Sequence, residues 1–365
     1  MKVLIVGAGI AGLALAKALE RQGVVADLIE KQEGTPTLGA SLYLPGNAAR
    51  ALRGVGVLDE VMRVANRVHR QEFYATSGRL LNTIYLSRFW GDDSPCLAIE
   101  RNVLRALLEA SLEKARVRYG QHPAKLEQQH DGVLVSFASG SSERYDLVVG
   151  CDGINSSVRQ HIFPGSQPRY CGQVCWRVIV NNDVGFSDWH VMLGRGTTLL
   201  GVGLPGSRLY LYADMVAPDP ARVPEDPVAT FQNDAGAFAK CAALLSSEGV
   251  YRSSLEEVTL AEWHRGRVLL IGDAAHAMGP SIAQGAAMAL EDAHVLAEML
   301  SKAGPSETLL DTFVARRRPR VDWVQRQTRA RDRLRYAPSV VRNTLVRFVT
   351  RRLHDRTYAP LRSPV

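Results

Sequence analysis

Four apolar residues, Val3 to Val6, open the chain, and a turn of small residues leads into apolar positions at helical spacing from about Ile10 to Arg21. A short, wholly apolar run suits a strand covered on both faces, and spacings of three and four suit a helix with one buried side. A second apolar stretch, Val25 to Glu30, makes the start of a βαβ unit. Short helices are predicted at Asn47 to Arg53 and Leu58 to Ala65, with extended segments between Gln71 and Tyr85. The segment "RNVLRALLEASLEKA" places Val103, Leu104, Leu107, Leu108 and Leu112 on one side of a longer helix, and "GVLVSFA" and "YDLVVGCDG" read as strands, the latter central and parallel.

From about Gln167 to Arg265 the period changes to two: "QVCWRVIV", "WHVMLGRG", "TTLLGVGL" and "SRLYLYADM" alternate, and "LPGSR" supplies a turn. A buried strand then returns at Val268 to Gly272, followed by a helix from near Ile282 with Ala286, Leu290, Ala293, Ala297 and Leu300 in one apolar stripe. The expected class is α/β: a Rossmann-like nucleotide-binding domain with a parallel sheet, an inserted, mostly antiparallel substrate sheet, and C-terminal helices. The expected division is 1–166 for the first part of the nucleotide domain, with substrate-side elements between 71 and 100, then 167–265 for the inserted sheet, 266–304 for the return and 305–365 for basic helices.

The net charge of +7 changes the picture only once it is located. Fifteen arginines but only three acidic residues lie from Arg316 onward, so the excess belongs to the C-terminal segment. Arginines there recur among Val, Leu and Trp, the pattern of amphipathic helices with solvated faces, and no aromatic stacking platform accompanies them; nucleic-acid binding is not expected. No run reaches the ~18 apolar residues of a membrane span, so no stable membrane insertion is expected, and a strand beginning by Lys2 leads to the expectation of a cytoplasmic location; a monomer or homodimer is expected. Cys96, Cys151, Cys171, Cys175 and Cys241 are read as reduced thiols with no metal site, because the Cys171/Cys175 pair has no second pair.

Gly7, Gly9 and Gly12 in "GAGIAG" match the dinucleotide fingerprint in its required setting of strand, turn and helix. The first glycine allows the tight turn, the second lets backbone approach a pyrophosphate, and the third lets helix and strand pack, while the helix N-terminus with Ala11 faces the phosphates. Glu30 ends the second strand where a carboxylate accepts from an adenosine ribose, with Lys31 beside it; its charge disfavours a 2′-phosphate, leaving FAD or NAD.

"LLIGDAAHAMGP" and "DLVVGCDGINSSVR" resemble the GD and DG motifs of class A flavoprotein monooxygenases of the para-hydroxybenzoate hydroxylase type, and "GAGIAG" and "ERNVLRALLEA" fall in that family's order. The resemblance implies FAD, with NADH or NADPH as a transient reductant. It implies that Asp273 accepts from a ribityl hydroxyl and that Pro280 lies beside the isoalloxazine. Backbone N–H groups at Gln284, Gly285 and Ala286 would face the flavin's pyrimidine edge; Arg101 would reach the phosphates, and Asp152 and Gly153 would lie near the pyrophosphate. Two segments depart from the family pattern: Ala283 stands before Gln284 and Gly285 where a GQG turn is common, and "GASLYLPGN" carries Ser41, counted among the cofactor contacts, and an additional Gly46.

The implied reaction is hydroxylation of a small electron-rich aromatic or N-heteroaromatic substrate by molecular oxygen through a flavin C4a-hydroperoxide. A base or a positive neighbour is needed to activate the ring, and Arg177, His190, Tyr210 and Tyr212 are the candidates on the inserted sheet. His276, inside the GD motif, reads as structural. The alternatives are a flavin-dependent reductase, desaturase or halogenase on the same scaffold, or a flavin-binding protein without catalysis that docks through its arginine-rich end.

Overall fold

In the computed structural model, which describes residues 1–34, 40–223, 225–231 and 235–365, Val3–Val6 lies inside a six-stranded sheet. Its order is His264–Arg265, Val268–Leu270, Leu147–Gly150, Val3–Val6, Asp27–Glu30 and Val117–Tyr119, parallel except for the first pair. Val6 pairs with Gly150 and Gly150 with Leu270, so three segments far apart in the chain end side by side. All four residues of Val3–Val6 and of Leu147–Gly150 are buried, as covered parallel strands require.

Element boundaries differ from the sequence pattern where a polar side chain intervenes. The second strand begins at Asp27, leaving Val25 exposed. "YDLVVG" splits at Asp146, whose carboxylate accepts the Lys2 N–H at 2.6 Å. Ser142–Tyr145 therefore joins a three-stranded antiparallel sheet, and Leu147–Gly150 the parallel one. The Arg101–Ala110 helix stops short of Ala115 because the Glu20 carboxylate takes the N–H groups of Glu113, Lys114 and Ala115. The long helix that follows the returning strand is Gly285–Ala303, preceded by a separate turn at Pro280–Ile282.

The alternating segments form a seven-stranded sheet ordered Tyr251–Glu257, Arg169–Asn181, Arg208–Val216, Thr197–Leu204, Trp189–Leu193, Arg70–Ala75 and Leu80–Tyr85. Only the Trp189–Leu193 and Arg70–Ala75 strands pair in parallel, which is how the 70–85 hairpin enters this sheet. Period two divides its side chains. Cys175, Val191, Leu200, Val202, Tyr210 and Tyr212 pack into the core shared with the six-stranded sheet, whereas Val174, Trp176, Met192, Leu199 and Leu211 pack beneath Phe186, Phe231 and Phe238 in a second core.

The C-terminal helices, Glu307–Arg333 and Ser339–Tyr358, do not keep every arginine on a solvated face as their pattern suggests. Arg317 is fully buried and pairs with Asp292 at 2.7 Å and Glu291 at 2.8 Å. Arg320 pairs with Glu291, Arg329 with Glu257 and Arg335 with Asp214, and Arg342 donates to the Leu193 and Gly194 carbonyls. Arg317, Arg320, Arg329 and Arg335 thus answer acids buried elsewhere in the chain, partners that no local sequence window contains. Among the described residues, no helix is long and apolar enough to cross a membrane.

Candidate active site

The two glycine corners meet. Gly272, at φ +60°, sits so that a Cβ on it would stand 3.1 Å from the Ala11 Cβ and 3.3 Å from the Ala289 Cβ. Gly7, at φ +105°, abuts the Cys151 carbonyl, and a Cβ on Gly12 would overlap the Gly7 carbonyl. These contacts draw the GAGIAG, DG and GD turns into one crevice at the C-terminal ends of adjacent parallel strands, the place where open α/β sheets bind ligands.

The donors around that crevice fit a dinucleotide. The Ile10–Arg21 and Gly285–Ala303 helices both begin without a side-chain cap, so their first-turn N–H groups face outward with the positive end of each helix dipole. A Cβ on Gly9 would meet nothing within 4 Å, which leaves space directly over the first helix terminus. Glu30 accepts the Ala8 N–H and the Gln32 N–H, each at 3.0 Å; two of its roughly four lone-pair sites stay open for ribose hydroxyls. Lys31 is exposed beside it.

The DG turn behaves differently. Asp152 Oδ2 accepts from the Ser157 N–H, the Ser157 hydroxyl and the Val158 N–H, and Ser156 caps the same short helix. Asp152 is thereby a shaping residue, with its buried Oδ1 unpartnered, while Gly153 faces open space. Arg159 is fully buried and donates to the carbonyls of Ile154 and Ala274, tying the DG turn to the GD turn.

Arg101 opens its helix and is exposed. Four residues later, on the same helical face, Arg105 is buried and donates to the Ala8 carbonyl at 3.0 Å and to Tyr119 at 2.7 Å. Sequence reasoning missed Arg105, although the i,i+4 spacing in "ERNVLRALLEA" is the signal that pairs it with Arg101. Ser41 is buried and donates its hydroxyl to the Ile99 carbonyl at 2.9 Å.

At the GD corner, Asp273 begins a short helix, and its Oδ1 lies 3.9 Å from where a Gly285 Cβ would stand. Pro280 begins the following turn, and Ala283 holds the left-handed conformation at φ 50° that glycine adopts without cost. Gln284 is fully buried and exchanges two amide hydrogen bonds with Asn47, at 2.9 and 3.2 Å, which anchors the N-terminus of the helix that Gly285 and Ala286 open. Asp292, one face below, accepts from Gly272 N–H at 3.0 Å, from His276 Nε2 at 2.7 Å and from Arg317 Nε at 2.7 Å. Burial raises the Asp292 pKa, but His276 and Arg317 outweigh it and hold the carboxyl below its usual range. His276 is therefore a structural clamp.

On the sheet opposite, Arg177, Tyr210 and Tyr212 share the face that packs toward the nucleotide side, with the Arg177 guanidinium 5.9 Å from the Tyr212 ring centre. Burial pushes the Tyr210 hydroxyl up to about 12 and Tyr212 well above its ordinary value, so both are protonated near neutral pH. Tyr212 donates to Asp214 at 2.7 Å. Arg335 binds that same Asp214, donates to Thr198 at 2.8 Å and to the Ser281 hydroxyl at 3.1 Å, and so joins the sheet to the turn that carries Pro280. No carboxylate among the described residues forms an ion pair with Arg177.

His190 does not belong to this group. It pairs across from Glu72 and stacks on Phe186 at 4.1 Å, on the far face with the second core. One residue of register decides the face, so Trp189 and Val191 point toward the nucleotide side and His190 away from it.

Residues 1–328 match the protein family described as FAD binding domain. The chain is 35% identical to 2-heptyl-3-hydroxy-4(1H)-quinolone synthase of Pseudomonas aeruginosa, covering 98% of each chain. It is 29% identical to 6-hydroxynicotinate 3-monooxygenase of Bordetella bronchiseptica over 83% of each. Among solved structures it resembles Klebsiella pneumoniae HpxO complexed with FAD and uric acid, with a TM-score of 0.89, 25% identity and coverage of 100% of this chain and 97% of that one. With its three motif turns gathered at one crevice and these relatives spanning nearly its whole length, the chain belongs to the class A flavoprotein monooxygenases, the FAD-dependent aromatic hydroxylases.

Proposed function

We propose that this protein hydroxylates an electron-rich N-heteroaromatic ring, of the quinolone or hydroxypyridine kind, with NADH or NADPH as the reductant. The observation that carries the reading is Arg177: a guanidinium with no carboxylate partner among the described residues, flanked by Tyr210 and Tyr212, on a sheet face otherwise lined by Val191, Leu200 and Val202. Such a face suits a largely apolar ring bearing one oxo or oxido group. The relatives named for a quinolone and a hydroxynicotinate, and the neighbour solved with uric acid, support the same class.

FAD, when bound and reduced by a nicotinamide hydride, activates molecular oxygen for transfer to the ring. The chain's own part is to hold both reactants. Gly7, Gly9, Ala11 and Gly12 would seat the pyrophosphate, Glu30 the ribose and Asp273 the ribityl chain, with Arg101 closing from outside. Gln284, Gly285 and Ala286 would offer N–H groups to the electron-rich flavin edge. Arg177 would hold the substrate oxygen as an anion, raising electron density in the ring. Tyr212, oriented by Asp214, would fix the ring's angle through its free lone pairs, and Pro280 and the apolar sheet face would exclude water. Asp152 and Gly153 mark the side where the nicotinamide donor would approach. In this reading residues 1–166 and 266–304 form the flavin unit, 167–265 the substrate unit and 305–365 the buttress between them.

The test is a screen of quinolones, hydroxypyridine acids and phenols for stimulated NAD(P)H oxidation, with product mass read for one added oxygen atom. N-Heteroaromatic substrates are expected to be oxygenated, and Arg177→Met to lower kcat/KM by roughly 100-fold, the worth of a charge-assisted bond. Cofactor oxidation without an oxygenated product for any member would sink the reading.

A further inference from the structure

The outer face of the last helix has properties that the flavin site does not account for. Val340, Thr344, Phe348 and Arg351, with Val341 and Arg352 beside them, recur at spacings of three and four and so share one side of Ser339–Tyr358. That side is open: Val340 is 79% exposed, Phe348 69% and Val341 51%, and Tyr336 just before the helix is 66% exposed. Exposed apolar residues scattered singly need no explanation, but here they are contiguous on one helix and its approach. Arg347, Arg351, Arg352 and Arg356 surround them, all exposed. None of these four forms an ion pair with a carboxylate of the described residues, in contrast to Arg317, Arg320, Arg329 and Arg335 of the neighbouring segment. The helix contains a single acid, Asp355.

The inner face is fixed. Asn82 donates to the Val346 and Arg347 carbonyls, Arg342 reaches Leu193, and Tyr358 donates to the Ile282 carbonyl at 3.0 Å. The outer face is therefore not awaiting a place in the fold.

We propose that this face docks the protein on an anionic lipid surface, with Val340, Val341, Phe348 and Tyr336 entering the headgroup boundary and Arg347, Arg351, Arg352 and Arg356 meeting lipid phosphates. An apolar centre ringed by these arginines lets the apolar side chains enter the headgroup boundary while the charges stay at the depth of the anionic headgroups. A second copy of the chain docked face to face would bring the same four arginines together, and a nucleic acid would leave the aliphatic centre without a partner.

The experiment is sedimentation of the full-length, FAD-loaded protein with vesicles of phosphatidylcholine alone or mixed with phosphatidylglycerol. Binding is expected only to the mixed vesicles, and Val340→Ser/Phe348→Ser and Arg351→Gln/Arg352→Gln are each expected to weaken it roughly tenfold or more. Both variants should keep wild-type FAD content and thermal midpoint, since no described contact of the flavin crevice involves these residues. Equal binding to neutral vesicles, wild-type binding by either variant, absence of binding, a dimer that Phe348→Ser dissociates, or capture of duplex DNA in preference to vesicles would each overturn the proposal.

Discussion

Ala283 occupies a left-handed backbone position that its Cβ opposes, at the turn between Pro280 and the helix whose terminus faces the flavin crevice. Ala283→Gly is expected to raise stability by roughly 0.5–1 kcal/mol, read from the denaturant midpoint, because the relief of strain exceeds the entropy that glycine adds to the unfolded chain. An unchanged or lowered midpoint would show that the turn is not strained. His190 illustrates the opposite relation between sequence and site. Its imidazole is buried against Phe186, with no hydrogen bond to either nitrogen among the described residues and the Glu72 carboxylate 3.1 Å away but poorly aligned. Burial lowers its pKa, and those of His294 and His354, despite the carboxylates nearby. The folded protein therefore binds fewer protons than the unfolded chain below about pH 6.5, and stability present above that pH falls as the pH drops toward 5. His190→Phe should flatten part of that decline in denaturation curves at pH 7 and pH 5 while leaving turnover within about twofold, as expected of a side chain remote from the reacting atoms. The glycines of GAGIAG were legible because their demands are local. The face of His190 was not, since a pairing register set by distant strands decides it.

At the scale of elements, two uncapped helix N-termini converge on one crevice because Gly272 lets the GD turn lie against Ala11 and Ala289. Gly272→Ala would place a methyl group 3.1 Å from one neighbour and 3.3 Å from the other at φ +60°, forcing helix and turn apart. Weaker FAD retention by about tenfold is expected, with a stability loss on the order of 1–3 kcal/mol, from dialysis and melting. Behind that contact, Arg317 bridges Glu291 and Asp292 in full burial. Arg317→Met should cost roughly 3–5 kcal/mol in a denaturant melt, because it takes away the one charge that two buried carboxylates share and leaves Glu291 to Arg320 and Asp292 to His276. Replacing the ion cluster as a whole with apolar residues should cost less. The strand, turn and helix that carry each motif could be read from hydrophobic period alone. Their ends could not, as Glu20 shows by capturing the N–H groups that would have extended the Arg101–Ala110 helix.

At the scale of the molecule, an arginine-bearing segment ties the layer around the six-stranded sheet to the seven-stranded sheet, and the pattern of charge hides that role. A basic C-terminal run looks like a wet surface until Asp214, Glu257, Glu291 and Asp292 are found to be its partners. Stripping FAD from the protein should lower its melting temperature, and restoring the cofactor at 100 times its dissociation constant should return about 2.7 kcal/mol; no shift would mean that the crevice does not hold the flavin. The side-by-side placement of Val3–Val6, Leu147–Gly150 and Val268–Leu270 bears also on how the molecule is born. A ribosome releases the first of these strands long before the third, at some 5–20 residues per second. The crevice that all three strands border can therefore be completed only after the third has emerged, so a full grip on a cofactor comes late in synthesis.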